Sequence, residues 1–149
     1  GVQACGLPIS KIERLVRDYG LLNDVHITGS VPFEQLPSWY RAGDVFAMPC
    51  RERANGLDVE GLGMVFLEAA ACGLPVVAGR SGGSTDALID GETGHLVDGT
   101  KPVEVAEAIS GLLTDDDNAR AMGAHGRVWV TETWTWDTVV EAFTGFVQT

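Results

Sequence analysis

Basic residues are scarce in this chain. Ten Lys and Arg against twenty-one Asp and Glu leave a formal charge of −11 on 149 residues. Such a surface does not attract nucleic acid or an anionic membrane in bulk, so any phosphate it holds must be held by local geometry. Cysteine is equally scarce. Cys5, Cys50 and Cys72 form no C-x-x-C pair and are odd in number, which argues against a disulfide framework and for a reducing, cytoplasmic compartment. His26, His95 and His125 lack metal-ligand spacing, so no metal site is expected. No apolar run approaches the roughly 20 residues of a membrane span. No secretory leader is visible, and the chain opens on Gly1 rather than Met. It is therefore expected to be an excised piece of a longer protein, or one with a processed start.

What remains is an ordinary globular composition, 45% apolar, long enough for one domain with a real core. Short apolar runs alternate with amphipathic stretches. Helices are expected over Ser10 to Arg17 (Ser10 as N-cap, Gly20 as stop), Phe33 to Ala42 with Pro37 in the first turn, and Gly63 to Cys72 stopped by Gly73. A short helix is expected over Thr85 to Leu88, and three longer ones over Val103 to Leu113, Asn118 to Val130 and Trp136 to Phe146. Strands are expected at Val25 to Thr28, Asp44 to Met48, Pro75 to Ala78 and His95 to Val97, the second and third buried. Short β-branched strands separated by helices imply an α/β domain: a parallel sheet in three Rossmann-like layers, with helices on both faces. Neither repeat nor linker interrupts residues 1–149, so a single domain is expected. Ligands of such sheets bind at the carboxyl ends of the strands. Here those ends are Gly29-Ser30-Val31, Pro49-Cys50-Arg51, Gly79 to Gly83 and the loop after Val97.

The stretch from Pro49 to Gly83 carries the chemistry. Glu60 and Glu68 lie eight positions apart, around Gly61, Leu62, Gly63, Met64 and Val65. A glycine-rich loop feeds a helix whose first free amides, near Met64 and Val65, suit a diphosphate. Glu68, one turn deeper, leans back toward the helix start and can accept two hydrogen bonds from a ribose diol. Glu60, before the helix, is the candidate catalytic residue, placed to hold the hydroxyls of a donor sugar. The opposing reading makes Glu60 a first-turn charge and Glu68 a solvated one. Against it, Glu68 is flanked by Phe66-Leu67 and Ala69-Ala70-Ala71-Cys72, and an acid on a mostly buried helix needs a partner.

Gly82 and Gly83 can offer further amides to the sugar or β-phosphate, or they can form a tight turn with Ser84 as N-cap; both readings stand. Arg51, Arg53 and Arg80 can add positive charge, although each singly is more often a surface residue. Asp115-Asp116-Asp117 matches a D-x-D metal pattern but directly precedes a helix, where capping is expected. Trp129, Trp134 and Trp136 are expected to be packing anchors.

These residues resemble glycosyltransferase family 4, the retaining enzymes of the GT-B fold, whose hallmark is E-x7-E. Around that pair stand a strand ending in Met48-Pro49, the run from Glu60 through Gly79, Ser81-Gly82-Gly83 and Gly91-Glu92-Thr93-Gly94. The match runs from about Val25 onward. The loop Gly56 to Gly63 is similar to that of actinobacterial phosphatidylinositol mannosyltransferases, which use GDP-mannose. The resemblance implies the C-terminal, donor-binding half of a GT-B enzyme, truncated at its N-terminal side. The opening strands, the family's diphosphate-gripping Arg and Lys, the acceptor site and the N-terminal domain fall outside the chain. It implies a nucleoside-diphosphate-sugar donor with GDP-mannose favoured, no cofactor, and a hexosyl transfer, with an inositol phospholipid as acceptor. The parent would act at the inner face of the cell membrane, and this piece alone would be inactive. Ser30 and Val31 would line the base pocket. Three rivals remain: a non-catalytic nucleotide-sugar-binding module, a sugar-nucleotide epimerase on the same architecture, and a purely structural domain folding without its partner.

Overall fold

The computed structural model describes residues 9–52, 56 and 58–147; Cys5 and Arg53 lie outside them. The chain falls into two compact units, Gly1–Glu34 and Gln35–Thr149.

In the first unit, α1 spans Ile9–Asp18, so Ser10 lies inside the helix rather than capping it. Its end is a Schellman turn. Gly20 takes φ 70°, its amide donates to the Arg17 carbonyl (3.0 Å), and the Leu21 amide donates to that of Val16 (2.8 Å). The segment Val25 to Thr28 is not a strand. Alternating side chains favour a strand only where a neighbour completes the ladder, and no described residue pairs with this one. Ser30 and Val31 therefore do not follow a strand end.

In the second unit, a 3-10 turn at Phe33–Gln35, which begins two residues earlier, leads into α2, Leu36–Arg41, with Pro37 in its first turn. Then come β1 (Phe46–Met48), α3 (Met64–Ala71), β2 (Val76–Gly79), a 3-10 turn (Gly82–Asp86) and β3 (Gly94–Val97). Helices α4 (Pro102–Thr114), α5 (Asp116–Thr133) and α6 (Trp136–Val147) complete it. The three strands are parallel in the order β1-β2-β3, with Val77 opposite Ala47 on one side and His95 on the other.

Strand β2 is buried along its whole length because it is central and covered on both faces. Val76 and Ala78 pack with Phe66, Leu67, Ala70 and Val130, whereas Val77 packs with Val97, Leu112 and Met122. Alternate residues thus serve two cores, which is what helices on both faces require. Strand β1, expected to be buried, is only half covered and exposes Ala47, since it forms an edge of this sheet.

Helix α3 ends as α1 does. Gly73, at φ 86°, donates to Ala70, and Leu74 donates to Ala69. Asp115 caps α5, its Oδ1 accepting from the Asn118 amide (3.1 Å), while Asp116 pairs with Arg120. Trp129 and Trp134 meet edge to face beside the core. Trp136 instead is 84% exposed on α6, which carries no buried residue, so it is not a packing anchor within this unit.

Candidate functional site

The glycine loop is held against the carboxyl end of β2 by hydrogen bonds of the Glu60 main chain. The Glu60 amide donates to Ser81 Oγ (3.2 Å) and the Glu60 carbonyl accepts from the Gly83 amide (2.9 Å). A Cβ at Gly82 would overlap the Glu60 carbonyl, and one at Gly83 the Gly61 carbonyl. The two glycine clusters are thus packed backbone to backbone, and only glycine permits that approach. The second cluster spends the Gly83 amide on Glu60. Its cap is Ser81, not Ser84: the Ser84 amide donates to the Ser81 carbonyl, and Ser84 Oγ accepts from the Ser81 amide (3.0 Å).

The ends of the other strands converge on the same edge. Cys50, just past β1, donates its thiol to the Gly79 carbonyl (3.2 Å), and a Cβ at Gly99, just past β3, would overlap its carbonyl. Burial pushes the Cys50 thiol above its ordinary value, and the nearby Glu60 carboxylate adds to the rise. The Glu60 main chain is thus fixed at the carboxyl edge.

From there Gly63 turns the chain into α3. It takes φ 77° and ψ 60° as the N-cap residue, a left-handed conformation that favours glycine. The Phe66 amide donates back to the Gly63 carbonyl (2.9 Å). Among the described residues the amides of Met64 and Val65 donate to no protein atom, and Met64 is 62% exposed. The start of α3 thus leaves two N–H groups without a protein acceptor, as helix starts do unless something caps them. Leu62 and Val65 are half-buried against the core, so the loop rests on apolar side chains rather than on solvent.

Glu68 follows Met64 by four residues, about 6 Å along the helix. Its neighbours Phe66, Leu67, Ala69 and Ala70 are buried, and Glu68 is half-buried. The partner that such an acid needs is Tyr40, whose hydroxyl donates to Glu68 Oε2 (2.8 Å). The Tyr40 phenol is pushed up, first by burial, then by this hydrogen bond and the Glu68 charge. Nothing in the sequence pointed to Tyr40: it lies 28 residues from Glu68, on a short helix with no motif. Arg80, by contrast, is drawn away from a phosphate role, bonding Asp90 (3.3 Å) and the Leu96 carbonyl (3.1 Å).

Glu60, Gly61, Leu62, Gly63, Met64, Val65, Gly82 and Gly83 thus gather at one edge, with Glu68 a turn below. A cleft of ≈ 330 Å³ lies at the opposite edge, lined among others by Asp44, Pro75, Leu112 and Arg120; it takes in Asp116 of the D-x-D pattern and the helix stop Gly73, but none of the carboxyl-edge group. The carboxyl-edge group is a shelf formed by the start of α3, with Glu60 on the loop before it and Glu68 within the helix.

A parallel α/β sheet of this kind takes its ligands at the carboxyl ends of its strands, where these residues lie. The comparisons give the family. The family described as "Glycosyl transferases group 1" matches residues 6–129, a start earlier than the Val25 expected, and the chain belongs to that family. It is 49% identical, over 130 residues, to the GDP-mannose-dependent alpha-(1-6)-phosphatidylinositol monomannoside mannosyltransferase of Mycolicibacterium smegmatis; the match takes in 87% of this chain and 34% of that protein. Among solved structures it superposes on sucrose-phosphate synthase of Thermosynechococcus elongatus with TM-score 0.82 and 32% identity, covering 93% of this chain and 33% of that one. It also matches the C-terminal domain of a glycosyl transferase group 1 family protein from Francisella tularensis, with TM-score 0.74 and 26% identity over 86% of this chain and 63% of that domain. The chain spans about a third of the length of the curated relatives it matches.

Proposed function

We propose that this chain is the donor-binding half of a retaining glycosyltransferase that moves mannose from GDP-mannose to an inositol phospholipid. The observation that carries this reading is the shelf itself: the unspent amides of Met64 and Val65 stand between Glu60 and Glu68, on a loop clamped to the carboxyl end of β2. The choice of donor and acceptor is supported by the relative at 49% identity, whose name specifies GDP-mannose and a phosphatidylinositol mannoside.

In this reading the diphosphate lies on the start of α3, where the amides and the helix dipole stabilise the charge that grows on the leaving group. Glu68 accepts from the ribose hydroxyls, and Glu60 from the hydroxyls of the mannose. The bond between the anomeric carbon and the β-phosphate oxygen breaks, releasing GDP. The acceptor hydroxyl forms its new bond to that carbon on the same face and gives its proton to a phosphate oxygen of the donor. The remainder of the parent enzyme supplies the acceptor, working against a membrane surface. No helix among the described residues is long and apolar enough to cross a membrane.

Titration calorimetry of the chain with GDP, UDP and ADP tests the site. GDP should bind most tightly, and Glu68→Ala should weaken it by about tenfold or more; an unchanged affinity removes Glu68 from the site. Transfer of labelled mannose from GDP-mannose to phosphatidylinositol mannoside by the full-length parent tests the reaction. Tight GDP binding with no transfer would instead mark a binding module.

A further inference from the structure

We propose that Tyr40 is a positioning residue of the donor site, its hydroxyl holding one oxygen of Glu68 so that the other meets the nucleotide's ribose diol. This rests on the reading of Glu68 as the ribose ligand given above, and adds what aims that ligand.

A glutamate side chain has three rotatable bonds, and ordering it on binding costs affinity unless it is ordered beforehand. Here a closed ring of contacts orders it. Phe66 and Glu68 both stand on α3. Phe66, fully buried, meets Phe46 of β1 edge to face with ring centres 6.1 Å apart. Phe46 meets the Tyr40 ring in the same manner at 5.6 Å. Tyr40 then returns to α3 through its 2.8 Å hydrogen bond to Glu68 Oε2. The hydroxyl is therefore anchored through two aromatic contacts to the same helix that carries the acid.

A carboxylate offers about four acceptor sites on its two oxygens. Tyr40 takes one on Oε2, and no described residue donates to Oε1. Burial, the hydrogen bond itself and the Glu68 charge keep the phenol protonated, so it serves as a donor to the acid. A partner that merely satisfied a half-buried acid would stabilise the fold without caring which nucleotide is bound. A positioning partner affects only ligands that carry the diol.

The test is calorimetry of the chain, as wild type, Tyr40→Phe and Glu68→Ala, with GDP and with 2′,3′-dideoxy-GDP. The wild type should prefer GDP by about tenfold or more. Tyr40→Phe should cut that preference by about three- to tenfold while leaving dideoxy-GDP affinity unchanged. Should Tyr40→Phe fail to fold, Phe46→Leu keeps the hydroxyl but frees the ring, and should lose part of the preference in the same direction. If these variants keep the full preference, or weaken both nucleotides alike, while Glu68→Ala abolishes it, the Tyr40 proposal is overturned and the ribose reading stands. If Glu68→Ala keeps the preference, or the wild type shows none, the ribose reading is overturned and the Tyr40 proposal with it.

Discussion

Replacing Gly63 by alanine tests how the glycine loop delivers the start of α3. Gly63 holds φ 77° and ψ 60°, and an L-residue in that region costs about 1–2 kcal/mol. The added Cβ would also overlap the ring of Phe66. Phe66 is fully buried and packed against Phe46, so the ring has no free space to move into, and overpacking of this kind adds about 1–3 kcal/mol. The two effects sum to about 2–5 kcal/mol, a large part of the 5–15 kcal/mol that holds a typical domain together. Urea unfolding followed by circular dichroism should show a lower midpoint with an unchanged slope. GDP affinity should fall as well, because the Met64 and Val65 amides move with the turn. Gly111, inside α4 with open space around it, is the control: alanine there should stabilise by about 0.5–1 kcal/mol. A Gly63→Ala protein within about 0.5 kcal/mol of the parent would refute the reasoning.

Two further outcomes follow from the carboxyl edge. Cys50 should react with iodoacetamide more slowly than a solvent thiol, since burial and the Glu60 charge both raise its pKa; Glu60→Gln should speed the reaction at pH 8, read by mass spectrometry, and an unchanged rate would place the Glu60 charge away from Cys50. Asp98 accepts from the Thr100 amide and hydroxyl and pairs with Lys101 (3.2 Å), which lowers its pKa from 3.8 to about 2. Because the folded value is the lower one, its stabilising contribution is present above pH ~4 and fades as pH falls toward 2. An NMR titration should find that low midpoint, and Thr100→Val should raise it; an ordinary midpoint in the wild type would contradict the loop geometry.

The three-layer parallel architecture was legible because β2 is an unbroken apolar run and its flanking helices carry clear stops such as Gly73. The Glu60 loop was legible because glycine is dense there for a backbone reason. The strand expected at Val25 to Thr28 fails because alternation in sequence cannot reveal whether a ladder partner exists. The second glycine cluster was half legible: glycine at 82 and 83 signals close approach, but sequence does not reveal that what approaches is the chain's own Glu60-Gly61 backbone. Tyr40 was invisible, since a hydrogen bond between residues 28 positions apart leaves no local pattern. Trp136 misled because an aromatic at helical spacing looks like core whether or not anything covers it.

The central claim is that the open end of α3 receives a nucleoside diphosphate. Amide NMR shifts of the chain during titration with GDP test it most directly. The account predicts the largest changes at Met64 and Val65, with Glu68 and Tyr40 following at the same nucleotide concentration. Changes confined to the opposite edge, around Asp44, Leu74 and Arg120, with Met64 and Val65 unmoved, would contradict it.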